Sequence, residues 1–252
     1  MTNFLTAYHL KIIAIVAMVL NHIVIAWWDI VPLPLAYPMY AVGGLTFPIM
    51  AFFAAEGYKH TKDLRGYTRR LLVFGIISIP FHFVAIGMVL GPSLNIMFTI
   101  ALSLWVIYMY DKTRTLVGFW MLYFLGIMPI TLLFFEWSFP GVTMVLLFHM
   151  IKHRALRCII PPVIAILLGL LPALLFAVLE IDMVAAMEGR GLPGDPDFMA
   201  MNYTFYIGMA LAAVLLLGHS VHGQRGKVGN RWMFYIFYPA HLAVLSIGAF
   251  IL

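Results

Sequence analysis

The sequence predicts an all-α integral membrane protein. It reads as one polytopic domain over residues 1–252, a bundle of about nine transmembrane helices with the N-terminus cytoplasmic and the C-terminus outside. Three observations lead there. The first is composition: hydrophobic residues make up 64% of the chain and charged residues 10%, against roughly 25% charged in a soluble domain, and the mean hydropathy is +1.01. The second is segmentation. Apolar runs fall at about 10–28, 38–57, 70–90, 94–110, 115–135, 138–151, 157–181, 203–219 and 232–252, which fits spans of about 20 residues with short connections.

The third observation is the placement of Lys and Arg. The turn after the second run holds Lys59, Lys62, Arg65, Arg69 and Arg70. Later alternate loops hold Lys112 and Arg114, then Lys152, Arg154 and Arg157, then Arg225, Lys227 and Arg231. With Lys11, these account for every Lys and Arg except Arg190. The intervening loops carry Asp29, Glu136, Asp182, Glu188, Asp195 and Asp197. Positively charged loops stay cytoplasmic, so nine crossings place Leu252 outside. Removing the short sixth run would put Lys152 and Arg225 on opposite sides. The net charge of +5 is thus read as topology, and no nucleic-acid partner is expected. A lone Cys158 excludes an intramolecular disulfide and a cysteine-built metal site, and no metal is expected.

Taken in order, the first run follows Met1-Thr-Asn-Phe-Leu, which lacks a basic n-region and a small-residue cleavage site. It is therefore expected to be retained as a span. It carries Lys11 and His22, eleven steps apart. That is about 16 Å along a helix and within about 20° of the same face, close to the reach of an extended pantetheine arm. Ionisable groups inside a span default to functional hypotheses, although a lysine snorkelling at a helix end and a histidine satisfied by a neighbour give the same pattern. Asn21 adjoins His22 and is placed to support it. The second run closes on Glu56-Gly57-Tyr58-Lys59-His60, where Glu56 and His60 share a face. The basic cluster behind it, with Arg69 and Arg70, serves either topology or phosphate binding.

In the third run Ser78 and His82 share a face, with Pro80 able to kink the helix. In the fourth, Asn95, Thr99 and Ser103 form a polar seam at spacing four, as helix–helix hydrogen bonding would require. The sixth run is short and contains Pro140-Gly141, so a tilted or re-entrant element is open. Residues 182–202, rich in Gly and Pro, read as an external loop. The last run carries Tyr235, Tyr238, Pro239 and His241, with His241 near mid-membrane, where an imidazole needs a partner.

The stretch Leu10-KIIAIVAMVLNHI-Val24 resembles the opening of the TraX family, membrane proteins implicated in N-acetylation of conjugative pilin. The resemblance continues through Phe47-PIMAFFAAEGYKHTKDLRGYTRRLL-Val73, Leu94-NIMFTIALSL-Trp105 and Phe234-YIFYPAHLAVL-Ser246. The Lys–ten–His spacing is also similar to that of acyltransferase-3 proteins and the wider transmembrane acyltransferases. The resemblance implies a multi-pass protein of the bacterial inner membrane. Cytoplasmic acetyl-CoA would be the donor substrate, and a pilin-like protein or an envelope glycan the acceptor. Carried across residue by residue, it makes His22 the catalytic base, and Lys11, Arg69, Arg70 and His60 the donor-binding groups. Asn21, Glu56, His82, Asn95, Tyr238 and His241 would line or support the pocket, with the first, second, third, fourth and ninth runs surrounding a donor tunnel. Two other classes remain open on the residues alone: a proton-coupled small-molecule carrier using His22, His82 and His241 as relay sites, and a haem-binding span protein.

Overall fold

The computed structural model describes residues 5–113, 115–178, 196–222 and 232–251. The basic loop with Arg225, Lys227 and Arg231, the residues Arg114, Asp182, Glu188, Arg190 and Asp195, and Leu252 lie outside the described residues.

The described elements are helical. They run α1 (Ala7–Ala26), α2 (Leu33–Gly43), α3 (Thr46–His60), α4 (Leu64–His82), α5 (Met88–Leu90), α6 (Ile96–Lys112), α7 (Leu116–Leu122), α8 (Met128–Phe134), α9 (Ser138–Met150), α10 (Arg154–Val178), α11 (Pro196–His222) and α12 (Met233–Ile251). Among them, six helical stretches are long and apolar enough to cross a membrane: Ala7–Ala26, Leu33–His60, Leu64–Gly87, Leu116–Phe134, Arg154–Leu171 and Ala200–His219. Ser138–Met150 and Met233–Gly248 are shorter apolar helices. The chain is a multi-pass, all-α membrane protein.

Local chemistry explains the boundaries. Thr6 opens α1 with a capping box, its hydroxyl accepting from the His9 amide while the His9 ring meets the Thr6 amide. Asp63 caps α4 through the Gly66 amide at 2.8 Å. The second run is not one smooth helix but breaks at Gly44–Leu45, between α2 and α3. Two π-helical turns interrupt the straight reading of the third and fifth runs, Phe83–Gly87 after α4 and Tyr123–Ile127 between α7 and α8. The first follows Pro80, which cannot donate to the helical ladder. Of the loop expected over 182–202, residues 196–202 are helical instead, because α11 begins at Pro196, and residues 182–195 lie outside the described residues. Proline is well tolerated in the first turn, where its missing N–H leaves nothing unpaired.

Packing separates lipid from interior. On α4, Leu72, Val73, Ile76, Ile77 and Ile79 are exposed, while Leu71, Gly75, Ser78 and His82 are buried. Apolar side chains meeting the bilayer need no protein partner, whereas polar ones must be satisfied inside. Close approach is made by small residues. Gly75 lies against Met97 and Phe98, and its carbonyl accepts from Asn95 Nδ2 at 2.9 Å. Gly208 of α11 sits on the Ala41 carbonyl and Gly44, with Tyr40 donating to Asn202 at 3.0 Å nearby.

The turn before α9 is fixed from outside. Leu94 and Phe135 form an isolated bridge, with Leu94 N donating to Phe134 O at 2.7 Å and Glu136 N to Leu94 O at 2.9 Å. Two residues on, Ser138 has φ of 47°, a left-handed conformation that L-residues other than Gly, Asn and Asp rarely adopt. The bridge holds that turn beside the N-terminus of α6.

A methyl group on Gly208 would fall on the Ala41 carbonyl and the Gly44 backbone. Gly208→Ala should therefore push α11 from α2 and cost about 1–3 kcal/mol, lowering the thermal midpoint in detergent. An unchanged midpoint would mean that this crossing does not limit stability.

Candidate functional site

The structure brings His22, His82, Asn95, Tyr238 and His241 together in the interior, all buried. His22 is on α1, which is unbroken from Lys11 onward, so the roughly 16 Å ruler holds. Its Nδ1 lies 2.8 Å from His241 Nε2 on α12, the two rings nearly parallel at 10°. His241 Nδ1 is 3.0 Å from the Phe237 carbonyl. A carbonyl only accepts, so His241 carries its proton on Nδ1 and, as a neutral ring, accepts at Nε2. His22 must then donate from Nδ1, which leaves its Nε2 lone pair free. This tautomer is assigned from the hydrogen-bond partners, and it directs the basic nitrogen of His22 away from His241.

Glu136 joins this cluster. Its Oε2 accepts from the Ile96 amide at 2.8 Å, at the N-terminus of α6, where a negative charge is favoured by the helix dipole. The same oxygen lies 3.3 Å from His82 Nε2. The pair is close enough for an ion pair, but its angle does not make a hydrogen bond, and His82 Nε2 has no other partner. The sequence reading placed Glu136 in an external acidic loop. It is folded inward instead, because the Leu94–Phe135 bridge turns it onto α6. A signal was present: Glu136 is the single charged residue between Arg114 and Lys152.

A cavity of about 20 Å³ is lined by Met18, Asn21, His22, Gly43, Thr46, Ile96, Glu136, Trp137, Phe205 and Tyr238. That is room for about one water or one oxygen atom. Trp137 stacks on Phe47 at 4.0 Å between centroids and leans on Phe205, giving one side an aromatic wall. Asn95 does not reach the cavity lining. It caps α6, accepting from the Met97 amide at 3.1 Å, while holding Gly75 of α4. Ser103 continues the buried seam by donating to the Thr99 carbonyl at 2.7 Å.

A second, larger cavity of about 370 Å³ opens at the Lys11 end. Lys11, His60, Tyr67, Arg70 and Tyr235 line it with Phe53, Gly57, Thr61 and apolar residues that include Met50 and Met97. These come from α1, α3, α4, α6 and α12, the runs grouped around a tunnel in the sequence. Lys11 Nζ sits 5.1 Å from the Phe53 ring centroid, a cation–π distance. Among the described residues, its lining contains no carboxylate. The cleft is therefore a cationic surface suited to phosphate oxygens, which Arg binds by bidentate hydrogen bonds and Lys as a point charge.

Arg69, expected at the donor site, and Glu56, expected to line or support the pocket, lie elsewhere. Arg69 is exposed and does not line the cleft, since adjacent helical residues diverge by about 100° and Arg70 takes the inward position. Glu56 does not line it either: it contacts Arg157 Nη2 and lies 3.3 Å from Lys59 and 3.8 Å from the cleft residue His60. Arg157 also donates to the Phe148 carbonyl. Beside it, His149 Nε2 is 2.8 Å from Asp111, which also accepts from the Tyr58 hydroxyl at 3.0 Å. These contacts tie the ends of α3, α6, α9 and α10 together on the Lys11 side of the bundle. Arg157→Ala would leave Glu56 and the Phe148 carbonyl without this partner. A charged hydrogen-bonded group lost from a half-buried pair should cost about 1–3 kcal/mol, seen as a lower thermal midpoint with the cavity around His22 intact.

The TraX protein family matches residues 7–248. The chain is also 29% identical over 259 residues to a probable fimbrial assembly protein FimC, serogroup H1, of Dichelobacter nodosus, across 95% of this chain and 94% of that relative. No solved structure matches. With the family pattern covering almost its full length, the chain belongs to the TraX family.

Proposed function

We propose that this protein is a membrane-bound acetyltransferase that moves an acetyl group from cytoplasmic acetyl-CoA to an amine or hydroxyl at the far side of the inner membrane. The observation that carries the reading is the pairing of a carboxylate-free cationic cleft at Lys11 with a buried histidine about 16 Å along the same helix. Acyl-CoA is a polyanion with a thioester at the end of a thin arm. Its phosphates meet Lys11, Arg70 and His60, and its arm follows α1 toward His22. The likeness of spacing to acyltransferase-3 proteins supports the same reading. The acceptor is a pilin-like protein, in keeping with the fimbrial assembly name of the relative, with an envelope glycan as the alternative acceptor.

The chemistry is acyl transfer. The acceptor nitrogen or oxygen attacks the thioester carbon, and the C=O electron pair moves onto oxygen. His22 Nε2 takes the proton from the attacking group, while His241 accepts the bond from Nδ1–H and keeps the ring oriented. As the carbonyl re-forms, the C–S bond breaks and CoA leaves as a thiolate, which receives the proton from His22. The products are the acetylated acceptor and CoA. General-base help of this kind is typically worth about 10²–10⁴ in rate. Glu136 and His82 flank the site, where a carboxylate stabilises the imidazolium that forms transiently.

The topology that this requires is nine crossings, N-terminus inside and C-terminus outside. Support comes from the grouping of Lys59, Lys152, Arg154 and Arg157 at the same end of the bundle as Lys11, through the Glu56–Arg157 and Asp111–His149 contacts.

The decisive experiment supplies labelled acetyl-CoA and a peptide with a free α-amino group to purified protein in liposomes. Transfer should occur with wild type and fall by at least 10²-fold in His22→Gln, while CoA binding and the thermal midpoint persist. A Gln variant retaining most activity would make His22 structural. In the same preparation Lys11→Ala or Arg70→Ala should weaken CoA binding by about 1.5–3 kcal/mol each, the scale of a charge-assisted hydrogen bond, whereas Arg69→Ala should change it little. Equal effects at Arg69 and Arg70 would point to a diffuse surface field rather than the cleft.

A further inference from the structure

Two polar atoms around the His22 cavity lack hydrogen-bond partners. Asn21 Nδ2 and the Tyr238 hydroxyl are both buried and unpaired, and both side chains line the cavity that His22 lines. Tyr238 is 2% exposed. Its oxygen lies beside the Ile96 amide, but that N–H donates to Glu136, and the hydroxyl has no hydrogen-bond partner as donor or acceptor. Asn21 is within reach of the Tyr40 hydroxyl, but Tyr40 donates to Asn202 and Asn21 Nδ2 makes no hydrogen bond of acceptable geometry. Gly43 makes space for this amide: a Cβ there would stand 2.6 Å from Asn21 Cβ and 2.9 Å from Nδ2.

An unpaired buried donor is costly, and two around one oxygen-sized cavity that His22 also lines need a reason. We propose that Asn21 Nδ2 and Tyr238 Oη form the oxyanion hole for acyl transfer, a deepening that rests on the acetyltransferase reading above. The oxygen they receive is the thioester carbonyl oxygen, which gains negative charge as the nucleophile adds to carbon and loses it as the C–S bond breaks. The donors come from α1 and α12, the two helices that carry His22 and His241. The His22–His241 bond therefore also sets the spacing of the two donors. Preorganised donors in a water-poor site pay no reorganisation at the moment of reaction.

The test compares Tyr238→Phe, Asn21→Leu and Gly43→Ala with wild type and His22→Gln, using labelled acetyl-CoA and the α-amino peptide in liposomes. Tyr238→Phe and Asn21→Leu should each lower kcat by about 10²–10³-fold, with the KM for acetyl-CoA and direct CoA binding within a few-fold of wild type. Gly43→Ala, which displaces Asn21 without altering its chemistry, should show the same kcat loss. Because the hydroxyl has no partner at rest, Tyr238→Phe should keep or raise the thermal midpoint.

A kcat close to wild type in Tyr238→Phe, or a loss that tracks a falling midpoint, would overturn the assignment. The second outcome would make the cavity the site of a structural water. Those results leave the transferase reading standing as long as wild type transfers and His22→Gln does not. Wild-type protein that binds no CoA and transfers no label would overturn both.

Discussion

The hydrogen bond between His22 and His241 is the constraint on which the interior is built. It joins the first and last helices of the chain, 219 positions apart in sequence, in a setting where an unpaired imidazole would be costly. Its geometry also decides chemistry. The Phe237 carbonyl fixes the tautomer of His241, which fixes that of His22, which leaves one nitrogen free. A chain of two hydrogen bonds thus converts an ordinary backbone acceptor into the orientation of a buried base. The same contact brings Asn21 and Tyr238 to one cavity, since each sits within a few positions of its histidine on the same helix.

The surroundings show how a bundle in lipid keeps such a cluster. Leucine and isoleucine facing the bilayer contribute little to holding helices together, because lipid tails are as apolar as they are. The adhesive contacts are close approaches at small residues, such as Gly75 against α6 and Gly208 against α2, and polar bonds such as Asn95 to the Gly75 carbonyl. At the Lys11 end, Glu56, Arg157, Asp111, His149 and Tyr58 perform the same task with charged groups, where access to water lowers the cost of desolvation. Glu136 is the inward counterpart. Its carboxylate is tolerated because the Ile96 amide at a helix start and the adjacent His82 compensate it.

Much of this was legible in the sequence, and the parts that were not share a cause. Lys11, His22, His82, Tyr238 and His241 announce themselves because each is polar in an apolar run, and helical periodicity places Lys11 and His22 on one face without reference to tertiary structure. Arg70 could be grouped with Arg69 but not separated from it, because choosing which of two neighbours points inward needs the rotation of α4. Glu56 and His60 do share a face, yet the principal partner of Glu56 is Arg157, 101 positions away. Glu136 was missed because a bridge between two loops turns it inward, and no local pattern encodes that. The π-helical turns and the break at Gly44–Leu45 follow from packing and proline geometry, not from hydropathy.

The two cavities do not merge, and the reason lies on α1. Lys11, Met18 and His22 are spaced seven and four apart, so they follow one face of the helix. Met18 is buried and lines the inner cavity, while Met50 and Met97 line the outer cleft. Methionine fills such positions with an unbranched, polarizable side chain that can be repacked at small cost. An open wet channel from Lys11 past His22 would carry water to a reactive thioester and offer protons a path through the bilayer. A flexible apolar partition between the cationic cleft and the small His22 cavity avoids both while leaving a thin arm room to displace it. On the acyl-transfer reading, then, binding energy gathered from phosphates at the cleft is what opens the way to His22. On that reading the long anionic end of the donor and its short reactive end have separate work, one to hold and one to react.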